Sequence, residues 1–561
     1  MQKKIPYGKS NFFDVIEQGY AYVDKTRYIE LLEAENNTYQ FMLRPRRFGK
    51  SLFLSVLEHY YDTNSTDKFD TLFGDLYIGK NPTLEQGKYA VLRVDFSGID
   101  TDTHEAFVKS FSSRIEIGVR NFLRKYEKIF PNAERDIEYI TGLGINSMDV
   151  AYDSAMQADI PIFLLIDEYD HFANKLIATG KTYAQEVRAG GIVRTFYELV
   201  KSGTTSVIKR FFITGVTPMM LTDLSSGFNM TDDLSMLPYY NEICGFTYDE
   251  VKWLAEETGI DMNLITVDME AYYNGYRFNI DADSKVFNSQ MVLYLFNQIK
   301  KLGKQPEEVI DENLRTDYGR LRMLVENEAN KGILSKITVD GEIESNIVRK
   351  FSESDLQNEG YFVSLLFYLG MLTIGENTII NTRLVIPNYS IQTLYWEYMT
   401  KYLANLESGI IDTEVISQAI TKMAVHGEPE LLIEYFSQHF LKRLSNRDLQ
   451  KFDEKYIKAM LMTLLFVTPA YHPVSEHETT DGYTDLYLVK NHAISSVKYE
   501  YVFEIKYVKT GAKDAQMKTV QSEADAQIEK YKKDARFVSR DDVIFATLVF
   551  KGKGDVIWEI K

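Results

Sequence analysis

The chain has 561 residues, 45% hydrophobic and 13% aromatic, with a net charge of −18 and one cysteine, Cys244. That balance excludes a disordered chain and implies roughly two to four domains, while the acidity argues against coating nucleic acid by bulk electrostatics. A lone cysteine excludes an internal disulfide framework and suits a reducing compartment, so cytoplasmic location is expected; no run approaches the roughly 18 apolar residues that a membrane span needs.

The first informative element is an apolar run, Tyr39 to Leu43, followed directly by RPRRFGKS, Arg44 to Ser51. A loop between a strand and a helix can offer free backbone N–H groups to phosphates, a lysine to reach the terminal ones and a hydroxyl for magnesium. Gly49, Lys50 and Ser51 supply these. The usual first glycine of such a loop is replaced by Arg44, and Arg44, Arg46 and Arg47 are expected to place compensating charge near the nucleotide or a bound strand. Salt bridging to the surplus carboxylates is the alternative. Behind the loop, Leu52, Phe53, Val56, Leu57 and Tyr60 share one helical face.

Further strand-like runs at 89–96, 162–166 and 211–214 alternate with longer helical stretches, the pattern of a parallel sheet covered on both faces. The run Ile162 to Ile166 ends in Asp167 and Glu168. In a phosphate-loop site the strand-end Asp holds magnesium through water, and the Glu orients or deprotonates the attacking water. Thr214 ends the next run and is the candidate sensor of the terminal phosphate. Read singly, the loop also fits an ordinary turn with a solvated lysine and the acids a solvated turn; together they favour a nucleotide site.

From about 246 to 405 the pattern turns helical, broken at YYNGYRF (Tyr272 to Phe278) and at the apolar segment Tyr361 to Ile374. The expected division is 1–245 for the nucleotide domain, 246–405 for a helical lid with a winged-helix-like module, and 406–561 for a last α/β domain.

In that last part, GYTDLYL places Asp485 on one alternating strand and YVFEIKY places Glu504 and Lys506 on another, with Ile505 facing the opposite way. Two acids and a lysine on neighbouring strands suit phosphodiester hydrolysis: Asp485 and Glu504 bind a divalent metal and Lys506 positions water or neutralises charge. A wet face of a hairpin is the plain alternative. Glu454, in the amphipathic segment Phe452 to Phe466, can add a third carboxylate. Gln527 and Tyr531 stand at i, i+4 on a helix that can meet the strands. Residues 1–60 carry nine Lys/Arg against seven Asp/Glu and residues 501–561 twelve against ten, so both ends tolerate phosphate despite the acidic whole.

The stretch IPYGKSNFFDVIEQGYAYVDKTRYIELLE, the loop RPRRFGKS, FLLIDEYD, FITGV, CGFTYDEV and YYNGYRF resemble the AAA-ATPase-like family common in bacteria, whose members carry the same arginine variant of the loop. EHETTDGYTDLYL, FEIKY and QIEKY resemble the PD-(D/E)XK nuclease domain usually fused to it, a restriction-endonuclease-like α/β fold. The resemblance implies that Lys50 and Ser51 bind phosphate and magnesium, that Asp167 and Glu168 complete an ATPase site, and that Asp485, Glu504 and Lys506 form a nuclease core. Gln527 and Tyr531 then match the Q-x-x-x-Y element of recombination-type nucleases. Many relatives have Gly-Arg before the metal-binding Asp; Gly482, Tyr483 and Thr484 stand here instead. The expected function is ATP binding and hydrolysis with metal-dependent cleavage of DNA. ATP and Mg²⁺ or Mn²⁺ are the expected cofactors, DNA the macromolecular partner, no membrane is involved, and an oligomer is compatible. The alternative is a nucleotide-dependent switch whose nuclease-like domain only binds a partner; a purely structural scaffold is the third reading.

Overall fold

In a computed structural model, Tyr39–Leu43 (β1), Ala90–Asp95 (β2), Ile162–Asp167 (β3), Ile208–Gly215 (β4) and Asp232–Asp233 (β5) form one parallel sheet in the order β2-β3-β4-β1-β5. The structure describes residues 2–178, 184–187, 190–220, 230–319, 328–352, 355–356, 358–376, 381–404, 412–443, 453–479, 482–509, 511–552 and 555–561. Every residue of β3 is buried, as a parallel strand covered on both faces requires. β4 starts at Ile208, ahead of its apolar run, because Lys209 is exposed and the buried Arg210 lies 5.6 Å from the Tyr61 ring. The two acids of β5 give no apolar signal, and only pairing with Gln40 and Phe41 makes them a strand.

Because all connections are parallel, the strand ends that carry polar residues fall on one edge. Leu43 pairs with Gly215, and Ile166 with Ile213, so Asp167 arrives beside Thr214. Helix Lys50–Tyr61 follows β1 and buries Phe53, Leu54, Val56, Leu57, Tyr60 and Tyr61. Helix His104–Lys125 packs Phe107, Phe111, Ile115 and Val119 at helical spacing; a Cβ on its Gly118 would stand 2.9 Å from the Arg93 carbonyl, so glycine permits the close approach to β2.

Helix Tyr248–Thr258 begins with a reciprocal capping box between Thr247 and Glu250. Helices Ser289–Leu302, Glu312–Gly319, Glu328–Asp340 and Glu359–Tyr368 follow, with a small antiparallel sheet of Glu342–Glu344 (β6), Thr373–Ile374 (β7) and Arg383–Val385 (β8) in the order β6-β8-β7. Within YYNGYRF, Gly275 has φ +101° and a Cβ there would meet the Pro387 carbonyl at 1.9 Å, which is why the helix stops.

Tyr471–Thr479 (β9), Gly482–Lys490 (β10), Glu500–Val508 (β11), Val543–Lys551 (β12) and Asp555–Ile560 (β13) make a second sheet in the order β13-β12-β11-β10-β9. Its pairs are antiparallel except β11 with β12, which helix Asp514–Tyr531 joins as a crossover. One face packs Leu486, Leu488, Tyr501, Phe503 and Ile505 with Ile457, Met460 and Leu464 of helix Glu454–Leu465. The other packs Tyr487 and Val502 against Ile528 and Tyr531. Ile505 is thus on the face opposite Glu504 and Lys506, as the alternation requires.

These elements fall into two units: Met1–Lys304, Asp311–Ile333 and Glu342–Tyr389, and Gln305–Ile310, Leu334–Gly341 and Ser390–Lys561. The segment boundary at 405 and 406, with Phe452 and the Thr480–Asp481 pair of the last motif, lies outside the described residues. Among the described residues no helix is long and apolar enough to cross a membrane.

Candidate nucleotide and metal sites

The loop after β1 is shaped by two left-handed residues, Gly49 at φ +96° and Arg47 at φ +66°. Glycine takes that conformation freely, whereas an arginine there is strained. Arg47 is held from outside the loop: its carbonyl accepts from Ser289 Oγ at 3.1 Å and from the Gln290 N–H at 3.3 Å, and its guanidinium donates to the Asn313 carbonyl at 3.3 Å. Lys50 is buried and donates to the carbonyls of Arg44 (2.9 Å) and Pro45 (3.0 Å). Its ammonium therefore lies within the curl of the loop, at the head of a twelve-residue helix whose N-terminal field favours anions.

Arg44 requires a correction. Expected to lend charge to a ligand, it is 1% exposed and donates instead to the carbonyls of Leu43 (2.8 Å), Ser235 (2.7 Å) and Tyr240 (2.6 Å), with its guanidinium 4.1 Å from the Phe278 ring centre. Burial lowers its pKa to about 10. The cation braces the loop internally by joining three backbone carbonyls from separate parts of the chain through one buried guanidinium.

At the adjoining strand end, Asp167 is 2% exposed and accepts from Thr214 Oγ1 at 2.8 Å and Arg93 Nη2 at 3.2 Å. Thr214 is buried and spends its hydroxyl on this bond. Glu168 has φ +55°, which turns its side chain out of the strand, and it lies 3.3 Å from His171 Nδ1. Burial opposes its charge, but His171, Lys50 and Arg46 outweigh burial and hold the carboxyl at about 2. It is ionised at neutral pH, the state that orients water as an acceptor.

A cavity of about 270 Å³ opens here, with Arg47, Lys50, Ser51 and Glu168 in its polar wall and Val23, Phe246 and Leu293 in its apolar wall. The mixture of a cationic, hydroxyl-bearing end and an apolar end suits a phosphorylated heterocycle. Lys25, also in the wall, donates to both Glu250 oxygens at 2.7 Å and so ties the amino-terminal segment to the helix cap.

Sequence reasoning missed Arg93 and Asp170. Arg93 spans Asp167 and Glu58 of the phosphate-loop helix, at 3.2 and 3.4 Å. Asp170 is fully buried and accepts from the Val216 and Thr217 amides at 3.0 and 2.7 Å, fastening the end of β3 to the chain after β4. A lone arginine inside the apolar run of β2 and a third acid, three residues after Asp167, were the available signals.

In the second unit, Lys506 gathers the acids. Its Nζ lies 2.8 Å from Glu504 Oε1, 3.4 Å from Glu454 Oε1 and 3.5 Å from Asp485 Oδ2. Asp485 Oδ2 also accepts from the Ile505 N–H at 2.8 Å. Glu504 is 3% exposed; burial first, and Asp485 second, push its carboxyl up to about 7. Burial acts to lower the Lys506 pKa, and Glu504, Asp485 and Glu454 reverse that and raise it. Burial likewise raises Glu454, against the opposing charge of Lys506. The Tyr531 hydroxyl lies 2.8 Å from Glu504 Oε2 and 2.6 Å from the Tyr483 carbonyl. Gln527 lies one turn earlier, its Oε1 accepting from Lys530 Nζ at 3.2 Å.

Asp485 and Glu504, hard oxygen donors on adjacent strands with a buried carboxyl among them, fit a divalent cation chemically. Among the described residues, however, no three His, Cys, Asp or Glu side chains are grouped as a metal-holding set, and Glu454 meets the other two acids through Lys506.

Residues 6–225 match the model of the AAA-ATPase-like family, described as a predicted AAA-ATPase, and residues 452–559 match the PD-(D/E)XK nuclease superfamily. The chain thus carries an AAA-ATPase-like amino-terminal region and a PD-(D/E)XK nuclease-superfamily carboxy-terminal region. The AAA-ATPase-like match takes in β1 to β4 and the loop; the nuclease-superfamily match takes in Asp485, Glu504, Lys506, Gln527 and Tyr531. A curated relative, an uncharacterized protein in the vnfD 5′ region of Azotobacter chroococcum mcd 1, is 26% identical over 519 residues covering 90% of each chain. A solved structure, the Aeropyrum pernix ORC2 protein in ADPNP–ADP complexes, aligns over 70% of this chain and 98% of its own at 10% identity and a TM-score of 0.31.

Proposed function

We propose that this protein hydrolyses ATP at the Lys50 loop and cleaves DNA at the Lys506 cluster with Mg²⁺ or Mn²⁺, residues 1–245 serving the first task, 406–561 the second and 246–405 forming the lid. The observation that carries the nuclease half is the convergence of Glu504, Asp485 and Glu454 on one lysine ammonium. A carboxylate pair beside a lysine is what an in-line attack on a phosphodiester needs. Asp485 and Glu504 would hold the metal, with Glu454 near enough to assist. When bound, the metal lowers the pKa of water and shields developing charge on the phosphate.

The chain's own residues do the rest. Tyr531 fixes the Glu504 carboxylate, Lys506 neutralises the crowded acids and presents positive charge to the scissile phosphate, and Gln527 flanks it. At the first site, Lys50 turns from the loop carbonyls toward the terminal phosphates of ATP. Ser51 and Asp167 serve magnesium, Glu168 orients water, and Arg47 stands at the cavity wall. Thr214 and Arg93 keep Asp167 in place.

Purified protein incubated with linear, circular and single-stranded DNA, with and without ATP and Mg²⁺ or Mn²⁺, tests the reading. Metal-dependent cleavage lost in Lys506→Ala supports it; a folded protein that cuts nothing under all these conditions sinks it. A second reading, a nucleotide-controlled switch whose nuclease-like domain only binds a partner, is favoured by the grip of Ser289 and Gln290 on the Arg47 carbonyl, because it makes the lid helix answer to the state of the loop. Tight ATP binding with no cleavage selects it.

A further inference from the structure

The first unit has another concavity, lined by none of the Lys50-loop residues, and it is basic although the chain carries −18 overall. Its volume is about 580 Å³, and Lys3, Lys4, Lys300 and Lys301 line it with Tyr7 and Tyr20; no Asp or Glu is among its described walls. Two lysines are fastened. Lys300 donates to Gln2 Oε1 at 3.0 Å and to the Thr258 carbonyl at 2.8 Å, and Lys3 pairs with Glu257 at 3.4 Å. Lys4 lies 5.5 Å from the Tyr20 ring centre, with Lys9 5.2 Å from the same ring, and Lys301 is exposed.

Collecting four ammonium groups in a hollow is unfavourable in itself, and an acidic protein has carboxylates to spare for separating them. Segments far apart in the chain, 3–4 and 300–301, contribute equally, so the charge is a product of the fold and not a lysine run. A concave surface of one sign focuses potential outward and attracts a polyanion. The lysines enter the cleft as two pairs, Lys3–Lys4 and Lys300–Lys301, from separate segments, and this repeated charge suits a polyanion.

We propose that this cleft binds the phosphodiester backbone of nucleic acid. Binding of this kind uses point charges, carries no base specificity and needs no metal. It is independent of whether the Lys506 cluster is catalytic, and it would hold a strand on the ATPase-like unit.

The test is fluorescence anisotropy of a labelled single-stranded oligonucleotide with the full chain, in EDTA, across a salt series. Each lysine contact with a single strand contributes about 0.7 to the slope of log affinity against log salt. The double variant Lys4→Ala/Lys301→Ala should flatten the slope by about 1.4 and weaken binding roughly tenfold or more at about 0.1 M salt. Lys4→Arg/Lys301→Arg should bind as the wild type does. Lys80→Ala/Lys88→Ala, at exposed positions elsewhere, should change nothing. Unaltered slope and affinity in the first variant, or no binding by the wild type, overturns the proposal. So does displacement of the oligonucleotide by inorganic tripolyphosphate at equal phosphate concentration, which would identify a site for free polyphosphate.

Discussion

The Tyr531 hydroxyl shares its proton between Glu504 and the Tyr483 carbonyl, at 2.8 and 2.6 Å, and thereby ties the crossover helix to both acid-bearing strands. Tyr531→Phe keeps the ring in its apolar setting and deletes only this link. The variant should lose about 1 kcal/mol of stability, the usual net value of one buried hydrogen bond, and roughly tenfold in cleavage rate. A melting curve and a plasmid-nicking assay measure the two effects, and wild-type nicking would detach Tyr531 from the chemistry.

Lys506→Ala and Asp485→Ala should differ. With Lys506 gone, Glu504, Asp485 and Glu454 lose their shared cation, so in EDTA the variant should melt below wild type and Mg²⁺ should recover much of the difference while cleavage stays absent. Asp485→Ala should lose cleavage and metal binding alike. Calorimetric titration with Mg²⁺ or Mn²⁺ separates them; equal metal affinity in both variants contradicts the assignment.

Lys50→Ala should weaken both ATP binding and turnover, whereas Glu168→Gln should keep binding and lose on the order of a hundredfold in rate. Nucleotide-binding fluorescence beside a phosphate-release assay distinguishes the two, and unchanged ATPase rates in both would remove the site.

The charge of Glu168 also contributes to stability in a defined pH window. Its folded value of about 2 lies below the ordinary 4.5, so the folded state binds this proton less readily. The contribution is present above about 4.5 and is lost as pH falls toward 2, amounting to roughly 3 kcal/mol at most. The stability gap between wild type and Glu168→Gln should therefore narrow from pH 7 to pH 3 in chemical denaturation. A gap independent of pH would rule this out.

Arg44→Ala should remove a buried guanidinium from three backbone carbonyls and cost roughly 3 kcal/mol, with ATP binding failing through disorder of the loop and not through lost ligand contact. Arg44→Lys should rescue little, because an ammonium cannot reach all three in the geometry of a guanidinium fork. Thermal melting with excess ATP reads this directly.

What could be read in advance was whatever period and local chemistry encode. The runs of β1 and β3, the acids ending β3, and the alternation that sets Glu504 and Lys506 opposite Ile505 are written in adjacent residues. Arg44 was misjudged because its partners, Ser235 and Tyr240, lie nearly two hundred positions away and are chosen by the fold. Arg93 was passed over because one charge in a strand looks like an edge residue until its neighbours are known. β5 could not be seen at all, since two aspartates become a strand only when β1 is there to pair with them.

The parallel pairing of β11 with β12 makes helix Asp514–Tyr531 an obligatory bridge, not an appendage. A bridge of this kind cannot detach without opening the ladder on which Glu504 and Lys506 stand. The helix and both strands should therefore exchange their amide hydrogens as one cooperative block, and protease nicking near residues 509–513 should be tolerated only while that block stays closed.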